Sequence, residues 1–528
     1  MQQKISLKLL PSEAADSSFV KNIIAKSSGK QENEIYGYHI LKRSIDARGK
    51  TVWINLTVNA FINEPFHQRK IQRFNFKDVS ASAKKVVIIG AGPAGLFAAL
   101  KLIEKGIKPI ILERGKDVRA RRRDLAVLNK EGIINSESNY CFGEGGAGTY
   151  SDGKLYTRSD KRGDVERILH LFIHFGAEEN ILSDAHPHIG TNKLPQIITA
   201  MRKQIEDCGG VFLFEKKVVD FIISNDKINA VKTADDNLFN ADAFILASGH
   251  SARDIFTLLN KQNILIEAKP FALGIRIEHT QNLIDKIQYH NNKENILPPS
   301  SYGLVEQVNG KGVFSFCMCP GGIIAPAATN DNEIVVNGWS PSKRNNPFAN
   351  SGIVVQVEVD DALKPIGNKQ PSIEKDSPLL LMEFQKMIEQ KAFAEGGGKF
   401  VAPAQRMVDF VENKISSSLP DCSYLPGIHS ADIKNILPPF ISERLQVALK
   451  LFGKKMNGYF TNEAVLVATE SRTSSPVRIP RDGITLSHPQ IKNLYPCGEG
   501  AGYAGGIVSA AMDGEKVAQQ LANIFIHK

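Results

Sequence analysis

Four stretches of the chain carry four different hydrophobic rhythms. In the first, apolar and polar residues alternate over ISLKLL (5–10), YGYHILKRSIDA (36–47) and KTVWINLTVNAFI (50–62), the two-residue period of half-buried strands. Between the first two lies SSFVKNIIAKSSG (17–29), which reads as a helix stopped by Gly29. Strand, helix, strand, strand over residues 1–80 predicts a small α+β unit of ferredoxin-like type, and DVSASAKK (78–85) is the polar linker out of it. The second rhythm starts at Lys84. KKVVIIG (84–90) is a continuous apolar run, as in a strand buried on both faces. LFAALKLIEKG (96–106) is a helix ending at Gly106, and KPIILERG (108–115) is a second buried strand, which completes a βαβ unit. A helix (191–210), strands within 210–224 and a buried strand with a Gly-rich end, NADAFILASGHSARD (240–254), follow. The third stretch, about 266–464, mixes strands with Pro-rich loops such as LPPSSYG (297–303) and LKPIGNKQPSIEKDSP (363–378). It holds one amphipathic helix, expected to take Ser377 as N-cap and Pro378 in its first turn and to stop at Gly396–Gly398. The fourth, 465–528, returns to alternating strand and helix, with a strand and loop in NLYPCGEGAGYAGG (493–506) and a helix over 507–526. The expected layout is an N-terminal α+β domain (1–80), an α/β domain split between 84–265 and 465–528, and an inserted α+β domain (266–464).

Composition narrows this picture a little. Hydrophobic residues make up 42% of 528, which excludes a disordered chain. A net charge of +9 is weak for a dedicated nucleic-acid binder. Six cysteines in such a length make no disulfide scaffold. None stands at C-x-x-C spacing, Cys317 and Cys319 being only two apart, so structural zinc is not expected, and reduced thiols fit a cytoplasmic protein. The N-terminus, MQQKISLKLLPSEA, has no long apolar core and does not read as a secretory signal. VVIIGAGPAGLFAALKLI (86–103) has the length of a membrane span, but Gly90, Gly92, Pro93 and Gly95 interrupt its middle, and strand, turn and helix explain it better.

That same segment carries the strongest chemical signal. Gly90-Ala91-Gly92-Pro93-Ala94-Gly95 follows an apolar strand and opens a helix, and Glu113 ends the next strand, 18 residues past the last glycine. This is the dinucleotide-binding fingerprint in its Rossmann context. Gly90 permits the turn, Gly92 lets a pyrophosphate approach the backbone, and Gly95 lets the helix lie close to the strand. Free N–H groups and the helix dipole then favour the diphosphate. Glu113, with Arg114 beside it, is placed to accept the hydroxyls of an adenosine ribose. Two distant segments have the same character. Ala247-Ser248-Gly249 ends a buried strand, and Gly498-Glu499 precedes the pair Gly505-Gly506 that opens the last helix at Ile507.

On these residues the sequence resembles the FAD-binding flavoproteins of the glutathione reductase superfamily. It departs from them at Ser248, where Thr is usual, and at Glu499, where the usual Asp is one methylene shorter. Longer motifs narrow the likeness: CFGEGGAGTYSDGK (141–154), Cys319-Pro320-Gly321-Gly322, ESRTSSP (470–476) and CGEGAGYAGG (497–506). On these the chain is similar to a widespread bacterial family of uncharacterised FAD-dependent dehydrogenases, also described as NAD(P)/FAD-dependent oxidoreductases, which carry a small domain ahead of the flavin domain. The resemblance implies FAD as cofactor. It implies that the backbone of Gly145, Gly146, Ala147 and Gly148 lines the pyrophosphate and ribityl chain. It implies that Val218 or Val219 contacts adenine, and that the helix starting at Gly505-Gly506-Ile507 faces the flavin N1–C2 carbonyl, where charge collects on reduction.

No second G-x-G-x-x-G stands in a βαβ unit of its own, so NAD(P)H would dock transiently rather than occupy a separate domain. Substrate-side candidates are Cys319, in a CPGG loop, Arg276, which alternates with apolar residues in ALGIRIEH, and Arg472, a possible clamp for an anion. The run RARRR (119–123) reads as a solvated helix face. The resulting expectation is an α/β protein: a Rossmann-like FAD-binding domain, an inserted α+β substrate domain that caps it, and the small N-terminal domain. Its expected activity is that of an FAD-dependent oxidoreductase passing hydride through flavin N5 to or from an unidentified small molecule. Two other classes stay open. A flavin-dependent RNA-modifying enzyme suits the +9 charge, although the basic residues are dispersed and 1–80 holds no aromatic-rich RNA-reading stretch. A non-enzymatic binding protein on the flavin fold is the other, against which the intact fingerprint argues.

Overall fold

The computed structural model describes residues 1–157, 163–290, 296–367 and 374–526. At its centre, strands Leu494–Pro496, Ala243–Leu246, Lys85–Ile89, Lys108–Leu112 and Val211–Leu213 lie side by side in that order. Every pairing is parallel. The two most apolar runs, KVVII and AFIL, are two of the three inner strands, buried on both faces. Helix Pro93–Glu104 crosses one face, and the final helix Ile507–Ile526 packs on it. Their approach leaves no space for a side chain at Gly514, where a Cβ would lie 2.1 Å from the Ala94 carbonyl oxygen. The other face is covered by helix Arg253–Lys261 and an antiparallel meander of Val218–Ser224, Lys227–Thr233 and Leu238–Phe239.

A second, seven-stranded sheet is built from strands Val305–Val308, Lys311–Cys319, Phe348–Val357, Phe271–Thr280, Val465–Glu470, Ala402–Arg406 and Ile428–Ser430, in that order. All pairs are antiparallel except the last, and helices Leu380–Ala394 and Pro439–Lys455 contribute to its core. Strand Val465–Glu470 pairs with Phe271–Thr280 and Ala402–Arg406, so this sheet runs beyond the expected boundary at residue 464. The two passages between the sheets are themselves paired, Glu267–Ala268 against Val477–Arg478.

At the N-terminus, Gln2–Leu9, Trp53–Ile62 and Ile35–Asp46 form an antiparallel sheet in that order, with helix Ser17–Ser28 on it. A ferredoxin-like fold needs a second helix and a fourth strand. Residues 63–84 supply neither and run on without regular structure, so the unit ends at its third strand, with the short helix Pro11–Ala15 ahead of helix Ser17–Ser28. Two local expectations shift as well. Helix Leu380–Ala394 has Leu379 as its N-cap, because Ser377 closes a separate turn with its carbonyl on the Leu380 N–H. The Pro-rich stretch at 363–378 begins inside helix Val359–Gly367, and its residues 368–373 lie outside the described residues.

Candidate active site

The C-terminal ends of three central strands, Lys85–Ile89, Ala243–Leu246 and Leu494–Pro496, open on one cavity of about 390 Å³. One end of it is bare backbone. Gly90, Gly92, Pro93 and Ala94 line it from the first strand tip, and Ala247, Ser248 and Gly249 from the second. Gly498, Glu499, Gly505, Gly506 and Ile507 line it from the third. Gly146, Ala147 and Gly148 close it from the Gly-rich loop, and Glu113, Arg114 and Val218 bound the far end. Val219 points outward, 38% exposed. Three of the expected residues stand behind this wall. The Gly145 N–H donates to the Ala91 carbonyl at 2.9 Å, and a Cβ on Gly95 would lie 2.0 Å from the Gly90 carbonyl oxygen.

The glycines divide into two sorts. Gly90 has φ +104° and its absent Cβ would meet the Ala247 carbonyl at 2.4 Å, so this turn accepts no other residue. At Gly92 the nearest atom to a Cβ is 4.0 Å away, and at Gly249, Gly505 and Gly506 nothing lies within 4 Å. These positions are bare where a side chain would enter the cavity. The Ser248 hydroxyl is buried there without a partner. A buried unpaired hydroxyl and a cradle that any Cβ would fill are what a polyhydroxyl, pyrophosphate-bearing ligand needs. The residues present therefore fit FAD.

Glu113 holds the cradle together. One carboxylate oxygen accepts from Ala91 N–H at 2.9 Å, and the other from Gly115 at 2.8 Å and Gly143 at 3.0 Å. Arg121 braces the same loop. The solvated face expected of RARRR holds only in part: Arg119, Arg122 and Arg123 are exposed, but Arg121 is fully buried. It donates to the carbonyls of Asn139, Tyr140 and Glu144 at 2.8–3.0 Å, the outlet that a loop nearly free of side chains leaves for a buried cation. Arg114 lines the cavity with its guanidinium held by Glu137 and Asp254. Burial pushes the Glu499 carboxyl up to about 7, against the pull of Lys269.

Side chains from distant segments line the same cavity: Asp152, Lys154, Tyr156, Phe316, Cys317, Asn337, Arg472 and Thr473. Lys154 donates to the Met318 carbonyl and stands 3.8 Å from both the Cys317 sulfur and Asp152. Asp152 also meets Arg344 at 2.8 Å. Burial alone would raise its carboxyl, but the two cations outweigh it and the group sits below its ordinary value. The Cys317 thiol is held well below its ordinary value, first by the Cys319 side chain and then by Lys154 and Arg276. The three residues singled out from sequence have other surroundings. Arg276 is fully buried, paired with Glu470 at 2.6 Å and bonded to Asn350 and the Cys317 carbonyl. Cys319 is buried beneath the wall with 0% exposure, and it is Cys317 that reaches the cavity. Arg472 lines the cavity, but Glu389, Glu333 and Thr329 already occupy its guanidinium. Lys154, Tyr156, Cys317 and Asn337 escaped sequence reasoning. Lys154 ends the motif that begins at Cys141, and Cys317 sits two residues before Cys319, so the signal lay beside the residues singled out.

Comparison with known proteins agrees with this geometry. Residues 84–255 match the family described as pyridine nucleotide-disulphide oxidoreductase. Residues 270–473 match that of the FAD-dependent protein, C-terminal domain-like, and residues 1–61 a domain of unknown function. An uncharacterized protein of Clostridium beijerinckii is 38% identical over 532 residues, covering 97% of each chain. Among solved structures, CtdE in complex with FAD is 10% identical with a TM-score of 0.31, over 83% of this chain and 84% of that one. A putative FAD-containing monooxygenase from Photorhabdus luminescens is 13% identical with a TM-score of 0.36, over 84% and 89%. At those scores the likeness says nothing of the reaction. Among the described residues no helix is long and apolar enough to cross a membrane, and no three His, Cys, Asp or Glu gather as metal ligands. The chain belongs, with the Clostridium protein, to a family of FAD-dependent oxidoreductases, and FAD is its cofactor.

Proposed function

We propose that this protein is a single-Rossmann dehydrogenase of the glutathione reductase type, which passes hydride to or from a small molecule bound at the side-chain end of the cavity. One observation carries the reading: a single cavity is lined both by bare backbone at three strand tips and by a cluster of ionisable side chains, Asp152, Lys154 and Cys317, that neighbour one another. When bound, FAD supplies a two-electron centre at N5. The chain's residues do the rest. Glu113 uses three of roughly four acceptor positions on the protein backbone, which leaves one for a ribose hydroxyl. Val218 borders the adenine end. Gly92 and Gly146–Gly148 present backbone to the pyrophosphate, and Ser248 and Glu499 meet the ribityl hydroxyls. The amides that open the last helix at Gly505–Ile507 face the carbonyl edge of the flavin.

Lys154, Tyr156 and Asn337 bind and orient the substrate. Among the described residues no second βαβ unit bears the dinucleotide fingerprint, so a nicotinamide donor approaches the same cavity and leaves again. The test is anaerobic stopped-flow mixing of the yellow holoprotein with NADH, NADPH and small organic reductants. Bleaching by one of them on the millisecond-to-second scale is expected. If the flavin is bound and no two-electron donor of any class bleaches it, the dehydrogenase reading falls.

A further inference from the structure

The strand Lys311–Cys319 is regular until Phe316 and irregular after it. Phe316 pairs with Gly352 and Cys319 with Asn350, so Cys317 and Met318 together stand opposite Ser351 alone. That is a bulge, and Cys317 within it has φ +45°, in the left-handed region that a side-chain-bearing residue seldom enters. Bulges re-aim side chains, and this one delivers the Cys317 thiol to the cavity wall. Its neighbour Cys319 stays buried, with its S–H directed to the Cys317 carbonyl at 3.2 Å. Cations flank both sulfurs: Lys154 at 3.8 Å from Cys317 and the Arg276 guanidinium at 3.6 Å from Cys319.

Both sulfurs are free thiols here. In a regular strand, Cα atoms two residues apart lie about 6.6 Å from each other, at the wide end of what a disulfide spans. A bulge bends the strand at that place. Neither the cofactor fingerprint nor the substrate cluster explains why a strained bulge should set one cysteine at the cavity wall and a second just beneath it, with a lysine beside the first and an arginine beside the second.

We propose that Cys317 and Cys319 are a redox couple that exchanges two electrons with the flavin bound in this cavity. The proposal rests on the cavity being the flavin site. In the oxidising direction the Cys317 thiolate and the Cys319 thiol join in one S–S bond, the Cys319 S–H bond breaks, and two electrons and one proton pass to oxidised FAD, which becomes the reduced anion. In the other direction reduced flavin returns them and restores the thiolate and the thiol. Cys317 faces the flavin, and Cys319 is the resolving partner behind it. The Cys319 side chain first, and then Lys154 at 3.8 Å, favour the Cys317 sulfur as thiolate, the form that reacts.

The experiment uses holoprotein purified in air without thiol reductant. Its cysteines are alkylated with iodoacetamide after unfolding, before and after anaerobic photoreduction of the flavin, and the 317–319 peptide is weighed. The expected result is that both residues resist alkylation in the oxidised protein and both accept it after reduction. In parallel, reductive titration should consume about four electrons per flavin in the wild type and about two in Cys317→Ser or Cys319→Ser, since each disulfide takes two. The mass measurement on wild type stands even if a variant misfolds. If flavin is bound while both thiols of the oxidised protein are alkylated and the titration ends at about two electrons, the couple does not exist. If the protein takes up no FAD, the reading of the cavity fails and the couple fails with it; the flavin absorbance tells the two failures apart.

Discussion

The two ends of the cavity are made by opposite means. The glycine-lined part works by what is missing: Gly92, Gly249, Gly505 and Gly506 carry no side chain where one would block the cavity. The charged part works by what is present, a set of charges drawn from segments as far apart as Asp152, Arg344 and Arg472. The first end therefore tolerates changes of charge and fails on bulk. The second tolerates modest bulk and fails when a buried ion loses its partner. The largest effects should break this comparison from within the glycine motif. Gly95→Val places carbon 2.0 Å from the Gly90 carbonyl, and a backbone atom has nowhere to move. We expect loss of the fold, beyond the roughly 1–3 kcal/mol of ordinary overpacking, seen as absence of a cooperative melt. At Gly92 an added Cβ meets nothing closer than 4.0 Å, so Gly92→Val should fold, yet lose its flavin, read as the ratio of flavin to protein absorbance. A yellow Gly92→Val protein would remove the pyrophosphate from this turn.

The charged end answers to a different change. Glu389 is fully buried between Arg253 and Arg472, with Ser471 on the same carboxylate. Burial would raise its carboxyl, but the two arginines overrule that and hold it near 2. Glu389→Ala leaves two guanidiniums without their common partner, for an expected loss of about 3–5 kcal/mol in a urea titration. A loss under about 1 kcal/mol would mean that Glu333 alone balances both arginines. The sign with pH follows from the depressed value. The stability Glu389 adds is complete above its ordinary value of 4.5 and is lost as pH falls through about 2.

The same contrast explains what could be read from the chain beforehand. Glycine motifs are local: the turn at Gly90, its Cβ-free approach and the strand before it lie within a dozen residues, so spacing alone pointed to the turn at Gly90–Gly95. Arg121 and Arg276 show why the other end resisted. Both look like ordinary basic residues in their own segments. Their fates are decided by Asn139, Tyr140 and Glu144 in one case and by Glu470 and Asn350 in the other, partners that only the folded chain brings near. Strand Val465–Glu470 is a similar case. Its pattern, buried at every position, is that of any central strand, and nothing in it says which sheet it joins. The ferredoxin-like expectation failed for the converse reason: strand, helix, strand, strand is the opening of that fold and also a whole unit by itself.

A gentler probe compares the cavity thiol with its buried neighbour. Cys317 is held well below its ordinary value, first by the Cys319 side chain and next by Lys154, whereas Cys319 is pushed well above. In reduced holoprotein, iodoacetamide should modify Cys317 at a rate that stays nearly flat from about pH 6.5 to 8.5, because the thiolate is already formed. Cys319 should stay unmodified throughout. Lys154→Met should make the Cys317 rate climb with pH, roughly tenfold per unit below the new pKa. A flat profile in that variant would transfer the effect to Cys319 and Arg276.

The smallest expected effect lies where the two ends meet. Glu499 stands among the glycines of the last strand tip, yet it is ionisable, and burial raises it from 4.5 to about 7. A carboxyl raised on folding favours the native state while protonated. Its contribution is complete below about 4.5 and is lost as pH rises through about 7. The midpoint of thermal unfolding of the flavin-free protein should therefore fall across that window, and Glu499→Gln, always neutral, should flatten part of the fall. Glu470 and Glu278, also raised to about 7, supply the remainder. Adding FAD should change the comparison, because hydroxyl donors on the ribityl chain stabilise the carboxylate and draw its pKa back down. In holoprotein the wild type and Glu499→Gln curves should then run parallel across the window. Curves that stay as far apart with FAD as without it would place Glu499 out of reach of the cofactor and return this strand tip to the side-chain end of the cavity.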